Sequence, residues 1–412
     1  MRVLVLNCGS SSVKYQLVET SRERIARAED LMLARGAVER IGSGSAVHWM
    51  RRGDEKSEPR PSDIKEILEH RGAVAEILRL LCDPERGVVR DPGEIAAVGH
   101  RVVHGGERFS ASVVIDAEVE RGIEDCVPLA PLHNPHNLRG LRAARAVLGH
   151  VPHVAVFDTA FHQTVPPYAY MYGLPYALYK RHAIRRYGFH GTSHRYVAWR
   201  SEVLLGKPRE QTKLVTCHLG AGASVCAIDR GRSIDTSMGF TPLEGLLMGT
   251  RSGDLDPSLV FHILHAEDLD EHQLTAMLNK HSGLYGLSGV SGDMREILAE
   301  EGKGHERAKL AVDTFCYRLR KYIGSYMAAL GGLDALIFTG GIGENSAVIR
   351  QRTLAGLEGL GIELDASAND AAVGREARIS TAASPNAVLV IPTNEELLIA
   401  RDTVRLVEPV VD

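Results

Sequence analysis

Two stretches far apart in the chain share one layout, and that layout limits the fold more than anything else in the sequence. Near the start, "VLVLNCGSSSVKYQL" runs the apolar Val3–Leu6 into Asn7, Cys8, Gly9 and three serines. It leaves as Val13, Tyr15 and Leu17 alternating with Lys14 and Gln16. Further on, "LVTCHLGAGASVCAID" takes Leu214–Cys217 into a small-residue turn and out again as an alternating run. A short apolar run reads as a buried strand, and a period of two as a strand with one covered face. Each stretch is therefore a strand, a glycine-rich loop and a second strand. Set without gaps, Ser12-Val13 falls on Ser224-Val225. Two such hairpins point to a duplicated domain; the competing reading is a chance likeness of two glycine-rich turns.

The loops themselves carry chemistry. A turn of glycine and serine can aim backbone N–H groups and small hydroxyls at phosphate oxygens. It is not a Walker A loop, which needs GxxxxGK before Ser or Thr and a helix; here a strand follows. An ordinary polar hairpin turn remains the alternative. A third loop, "ALIFTGGIGENS", runs an apolar strand into Gly340, Gly341, Ile342 and Gly343, with a helix expected over Ala347–Leu357. Glycines admit close approach of a ligand, and a helix N-terminus favours an anion. A structural turn or a dinucleotide site are the other readings, the latter without its full GxGxxG.

The 412 residues suffice for two domains or more, each with its own core. A net charge of -4 and an ordinary 24% of charged residues give no basic signature for a nucleic-acid or membrane-surface partner. No apolar run approaches a membrane span, and Asn7 and Gly9 interrupt the first apolar stretch too early for a secretory signal. Six scattered cysteines without a CxxC pair suggest reduced core thiols in a cytosolic protein. Helices are expected from Ile64 to Leu81 behind a Ser62-Asp63 cap, from Asn134-Pro135 as N-cap and N1 through Leu148, and from Glu306 to Leu330 up to Gly331. The polar stretch Gly42–Pro61 reads as a surface excursion.

Several polar residues sit where structure alone does not require them. Arg101 heads Val102-Val103 in "GHRVVHGGE", and His133 precedes a helix start in "LAPLHNP". Asp158 ends a strand in "VFDTAFHQT", where α/β proteins place catalytic groups. His190 lies in the glycine loop of "YGFHGTSH", Arg251 among small residues in "MGTRSGDLDP", and Asn394, Glu395 and Glu396 end "PTNEE". Each has a plainer reading as a solvated charge or turn former. His190 and His194 have the spacing of a zinc helix, but HExxH is absent, and Thr192 or Ser193 as N-cap would leave His190 outside the helix. Together the set offers cationic groups, oxygen donors for a hard cation at Asn7, Asp158 and Glu395, and glycine loops. Phosphoryl transfer needs those parts.

The stretches "NCGSSSVKYQL", "GHRVVHGGE", "LAPLHNP", "VFDTAFHQT", "YGFHGTSH", "DTSMGFTPLEGLLMGTRSGDLDP", "GGIGENS" and "PTNEEL" resemble the motifs of the acetate kinase family, in family order from Asn7 to Glu396. The resemblance implies an α/β fold of duplicated ribonuclease-H-like (actin-like ATPase) domains with nucleotide in the interdomain cleft. The first domain would span 1–150, with 396–412 packing back on it, and the second 151–395. It implies a reversible, Mg²⁺- (or Mn²⁺-) dependent, in-line transfer of the ATP γ-phosphoryl to acetate, giving acetyl phosphate and ADP. A homodimer in the cytoplasm is implied as well, with no nucleic-acid or membrane partner.

Carried over position by position, the resemblance makes Arg101 and Arg251 hold the acetate carboxylate and the moving phosphoryl. His190 would donate to a phosphoryl oxygen. Asp158 would orient Arg101 or act as proton donor and acceptor, although a carboxylate nucleophile is already ionised at neutral pH. Asn7 and Glu395 would lie on the metal side. Val103, Leu132 and Pro242, with His133, would line the acetate pocket. Ser10, Ser12, Lys14, His218, Leu219, Gly220, Ala221, Gly222, Asp293, Met294, Arg295, Gly341, Ile342, Gly343, Glu344 and Asn345 match nucleotide-binding segments. One position departs: the family's usual Asn in "HLGNGAS" is Ala221 here. Two alternatives remain at this stage. One is a propionate or other short-chain acyl kinase. The other is a chaperone-like or filament-forming switch ATPase, which would have no use for Arg101, His190 and Arg251 acting on a second substrate.

Overall fold

A computed structural model describes residues 1–43, 45–53, 55 and 62–409. The chain divides into two compact units, Met1–Ala160 with Asn394–Asp412, and Phe161–Thr393. Among the described residues the strands form one eight-stranded and one six-stranded sheet.

The first unit holds β1 (Arg2–Cys8), β2 (Ser12–Glu19), β3 (Leu31–Glu39), β4 (Ala46–Arg52), β5 (Ser62–Lys65), β6 (Ile95–Val102), β7 (Val113–Val114) and β8 (His153–Phe157). Their order is β5-β4-β3-β2-β1-β6-β8-β7. Strands β1, β2 and β3 form an antiparallel meander, while β6 runs parallel to β1 and β8 parallel to β6. The apolar run that opens the chain is explained by its two covered faces. Leu4 and Leu6 point into a core shared with Val74, Ile77 and Ala144, on the helices His70–Leu81 and Asn134–Val147. Val3 and Val5 point the other way, onto Ile399, Ala400 and Val404 of the helix Glu395–Val407. The chain's last helix thus covers one face of its first strand; residues 410–412 of the expected returning segment lie outside the described residues.

The second unit repeats the plan. It holds β9 (Lys213–Leu219), β10 (Ala223–Asp229), β11 (Arg232–Thr236), β12 (Ala335–Thr339), β13 (Ala377–Arg378) and β14 (Ala387–Val390), ordered β11-β10-β9-β12-β14-β13. Here β9, β10 and β11 form the antiparallel meander, and β12 and β14 follow in parallel. The duplication expected from two hairpins is therefore one of whole sheets. The strand bounds coincide when Arg2 is set on Lys213 and Cys8 on Leu219. That places Ser12 on Ala223, one residue from the ungapped match with Ser224.

Several sequence expectations need correction. The break expected after residue 150 lies between Ala160 and Phe161, because β8 pairs with β6 and β7 of the first sheet. The helix expected from Ile64 starts at His70, and Ser62–Lys65 instead pairs as β5 with β4. Helical spacing in a short segment cannot outweigh a sheet edge that satisfies its backbone groups. Part of Gly42–Pro61 is likewise no excursion: Ala46 and His48 of β4 are buried, while 44, 54 and 56–61 lie outside the described residues. The helix Asn134–Val147 has His133 at its N-cap, and Asn134 spends its side chain on the His104 backbone instead. The helix after the third loop is Ala347–Leu354, shorter than expected, and Gly340–Asn345 is itself a short helix. The helix Glu306–Leu330 ends as its sequence dictates, with Gly331 in the left-handed region at φ 62° and its N–H on the Ala328 carbonyl.

Candidate active site

In the first unit the sheet's parallel strands end beside one another. The register sets Val102 against Phe157, so Arg101 near the end of β6 and Asp158 just past β8 become neighbours. The Asp158 N–H donates to the Val102 carbonyl at 3.0 Å, which fixes the carboxylate's position. Arg101 forks onto that carboxylate, Nε donating to Oδ1 at 2.9 Å and Nη2 to Oδ2 at 2.6 Å. Asp158 is 2% exposed. Burial raises its carboxyl above the usual range, against the pull of Arg101. Burial works against the charge of Arg101 too, but the Asp158 and Glu395 carboxylates outweigh it and its pKa is raised.

Glu395 opens the helix Glu395–Val407, where the helix dipole favours a carboxylate. Its Oε2 lies 3.8 Å from Arg101 Nε, and it is this glutamate, not Glu396, that pairs with the arginine. That oxygen is buried and accepts no hydrogen bond. Burial raises the Glu395 carboxyl, with Arg101 and Lys14 pulling it down and Glu396 adding to the rise. An acceptor oxygen left without a donor suits a cation. Asn7 and Lys14 sit opposite one another across the β1–β2 hairpin, and Lys14 is close enough to act on the Glu395 carboxyl. His133 is electrostatically coupled to Asp158. Val103 is half-buried, and its N–H is held by Asn137 Oδ1 at 3.0 Å. Leu132 is exposed, as are Ser10 and Lys14, while Ser12 is half-buried.

In the second unit the helix Gly191–Leu205 starts two residues earlier than Thr192 as N-cap would place it. Thr192 and Ser193 are buried inside it, and His190 takes the cap position at φ 57°. A non-glycine residue in that region is strained, and such strain gathers at functional sites. The conformation turns the His190 Nδ1 to Ser224 Oγ at 2.9 Å and stacks the ring on His218 at 4.2 Å between centroids. The His218 Nδ1 meets Ser193 Oγ at 2.8 Å, and Ser193 donates to Thr393 Oγ1. Arg251 donates to the Pro242 carbonyl at 3.1 Å and has no carboxylate partner among the described residues. Burial alone acts on it, lowering its pKa. A Cβ at Gly222 would stand 3.5 Å from Arg251 Nη1 and 3.5 Å from His190 Nε2. The second glycine loop therefore lets these two groups, one cationic and one a ring nitrogen, converge on its backbone at Gly222.

A cavity of about 800 Å³ adjoins this loop. It gathers Gly220, Ala221, Asp293, Met294, Arg295, Gly341, Ile342 and Asn345 from the sequence set, and adds Gly249, Thr250, Gly292, Leu298 and Ser346. Asp293 caps the helix Met294–Glu301, and Arg295, largely exposed, folds back onto it. Three residues of the expected nucleotide set turn away. The Glu344 carboxylate accepts from Gly340 N at 2.8 Å and Thr393 N at 3.0 Å, so it braces the third loop from behind. The Gly343 carbonyl takes the buried Arg350, and Leu219 is buried in β9. The sequence reading missed Ser224 and Thr216. It considered His194 only for zinc spacing, whereas His194 is buried and bonded to both hydroxyls.

A duplicated α/β unit, glycine loops opening from strand ends onto a ligand-sized cavity, and an arginine that no carboxylate among the described residues neutralises are the parts a phosphotransferase needs. The acetokinase family model matches residues 2–401. An acetate kinase of Methanosarcina thermophila is 50% identical over 408 residues, 99% of this chain and 97% of that one. One of Symbiobacterium thermophilum is 53% identical over 407 residues, 99% of each. Among solved structures, Porphyromonas gingivalis acetate kinase aligns with a TM-score of 0.93 and 46% identity, over 99% of this chain and 100% of that one. A propionate kinase from Francisella tularensis gives 0.89 and 41%, over 98% and 100%. The chain belongs to the acetokinase family, and its fold is the duplicated ribonuclease-H-like fold of that family. Among the described residues no helix is long and apolar enough to cross a membrane.

Proposed function

We propose that this kinase moves the γ-phosphoryl of ATP to the carboxylate of acetate, reversibly and in line, giving acetyl phosphate and ADP. The observation that carries the reading is the convergence of Arg251 and the Nε2 edge of His190 on the backbone of the second glycine loop at Gly222. A transferring phosphoryl spreads negative charge over its equatorial oxygens. Arg251 brings a charge that no carboxylate among the described residues pairs, and His190 an N–H. Arg101 binds the acetate carboxylate, and Asp158 orients it. No general base is needed, because the nucleophile is already an anion. Val103, Leu132 and Pro242 provide the apolar contact for the methyl group, with His133 beside them. ATP and ADP occupy the cavity at Asp293–Arg295 and Gly341–Asn345, with their phosphates toward Ser10, Ser12, Lys14 and the loop His218–Gly222. The orphaned Oε2 of Glu395, with Asn7, fits Mg²⁺ or Mn²⁺. When bound, such an ion supplies charge neutralisation on the nucleotide phosphates. Homodimeric assembly and a cytoplasmic location rest on the family resemblance alone.

The test is chemical. With Mg-ATP, acetate should yield a product that hydroxylamine traps as the hydroxamate, with propionate weaker and butyrate poor. ATP hydrolysis indifferent to every short carboxylate would overturn the reading in favour of a switch ATPase. The likeness to a propionate kinase at a TM-score of 0.89 supports propionate as the second substrate to try. One methylene in an apolar pocket discriminates by only about 1–3 kcal/mol. A kcat/KM for propionate above that for acetate would make it the better reading.

A further inference from the structure

Behind His190 runs a chain of three residues that touch no open space. Thr216 Oγ1 lies 2.7 Å from His194 Nδ1, and His194 Nε2 lies 2.8 Å from Ser224 Oγ. Ser224 Oγ in turn lies 2.9 Å from His190 Nδ1. Thr216, His194 and Ser224 are each 0% exposed. Burial, with His162 and His218 beside it, holds the His194 pKa far below its ordinary value, so its ring is neutral. A neutral imidazole has one N–H and one bare nitrogen, and a hydroxyl has one hydrogen to give.

Were Ser224 to accept from both rings, its own buried hydrogen would have no acceptor among the described residues. With that hydrogen passed along the chain, only two directions remain. Running toward His190, Thr216 donates to His194 Nδ1, His194 Nε2–H donates to Ser224, and Ser224 donates to His190 Nδ1. Every hydrogen of the three fully buried residues then has an acceptor, and the proton of His190 is on Nε2, at the edge of a ring that is only half-buried. Running away, His190 Nδ1–H donates to Ser224, Ser224 to His194 Nε2, and His194 Nδ1–H to Thr216. The Thr216 hydroxyl hydrogen is then left buried with no acceptor among the described residues. Buried donors without acceptors are rare and costly, so the first direction prevails. Two further groups lie against His190, and neither reverses this. The His218 ring stacks on its face and has its own hydroxyl partner in Ser193, and Arg251 lies across Gly222.

We propose that Thr216, His194 and Ser224 form a one-way hydrogen-bond chain that holds His190 as its Nε2–H tautomer, with that N–H facing the space beside Arg251. These are positioning residues, and the inference rests on the role of His190 as hydrogen-bond donor to a phosphoryl oxygen given above. It explains why a strained left-handed backbone is kept at His190: that conformation brings Nδ1 to Ser224.

The test is nitrogen-15 NMR of the full chain labelled at histidine, with the His190 signals assigned by their loss in His190→Gln. The wild type should show His190 protonated on Nε2 and bare on Nδ1. Ser224→Ala should give a mixture of tautomers and a kcat lower by about tenfold with both KM values little changed. Ser224→Thr, which keeps the hydroxyl, should restore both. A wild-type His190 protonated on Nδ1 overturns the chain whatever the activity. So does a Ser224→Ala protein whose His190 stays in the Nε2–H form. If the Ser224 variants do not fold, the wild-type tautomer alone decides. A His190→Ala enzyme with wild-type kcat would instead overturn the phosphoryl role, and leaves the tautomer measurement standing.

Discussion

Arg101 and Arg251 stand at the chemistry of their respective units, yet they are held in opposite ways. Arg101 is forked onto Asp158 and has Glu395 at 3.8 Å, so two carboxylates surround one guanidinium. Arg251 is held by the carbonyl of Pro242 and has no carboxylate partner among the described residues. A matched arginine is fixed in direction and offers an incoming anion its remaining N–H donors. An unmatched one is costly to bury and gives its full charge to an incoming anion. On the function proposed above, the first unit would aim a guanidinium and, at the Glu395 oxygen that accepts no hydrogen bond among the described residues, take a cation. The second would accept negative charge.

The arginine variants test this contrast most severely. Arg251→Ala should lower kcat by on the order of a hundredfold or more, since lost electrostatic contacts to a transition state commonly cost about 2.7–4 kcal/mol. Its folding stability should change little, because the partner it leaves is the neutral Pro242 carbonyl and no charged group among the described residues is orphaned. Arg101→Ala should lower kcat, raise the acetate KM and also cost stability, roughly 3 kcal/mol, because buried Asp158 loses its counter-charge. Urea unfolding beside steady-state kinetics separates the two. Equal stability losses in both variants would break the comparison.

Glu395→Gln comes next in size. It keeps the shape and removes the charge that faces the orphaned position. The half-saturating Mg²⁺ concentration should rise by roughly tenfold or more, because ligand charge sets the affinity of such sites. The Arg101–Asp158 fork should survive. An unchanged Mg²⁺ requirement would remove Glu395 from the metal side.

Gly222→Ala probes the opposite half. The new Cβ would meet Arg251 and His190 at ordinary contact distance, so the protein should fold as well as the wild type. The methyl would occupy the space assigned to the phosphoryl. Overpacking of that order costs about 1–3 kcal/mol, or about tenfold in kcat/KM for ATP. Undiminished turnover would show that this space is not used.

The two halves also differed in how far the sequence revealed them. Arg101 and Asp158 were legible because each is a charge at the end of an apolar run, and parallel strands bring such ends together. Arg251 was legible only through a resemblance, since nothing in "MGTRSGDLDP" sets its surroundings. Ser224 and Thr216 could not be singled out. A hydroxyl within a strand looks the same whether it faces solvent or a histidine from a helix far away in sequence. The partners of Glu344 were illegible for a related reason: its carboxylate accepts from Gly340 N of its own turn and from Thr393 N far away in sequence. The meander strands were legible from period and turn residues. The short β5 was not, because its pairing with β4 is a contact that local spacing does not encode.

The smallest expected effect lies at Ala221, where the family resemblance leads one to expect asparagine. The backbone there is already fixed: the Ala221 carbonyl accepts from Gly249 N at 3.0 Å, and the Gly220 N–H donates to the Gly222 carbonyl at 3.0 Å. Ala221 is exposed and lines the large cavity, so a longer side chain has room without moving the loop. A neutral hydrogen bond from a restored amide is worth about 0.5–1.5 kcal/mol net, and one to a charged group about 1.5–3. Ala221→Asn should therefore improve kcat/KM for Mg-ATP, by about threefold if the loop has adapted to alanine. The acetate KM should hardly move, because Arg101 in the first unit governs it. The comparison is sharpened if only the nucleotide parameters respond. If the acetate KM shifts instead, Ala221 acts on the other substrate and the division of labour between the two halves is wrong. Kinetics with each substrate varied in turn at saturating partner distinguish the two results.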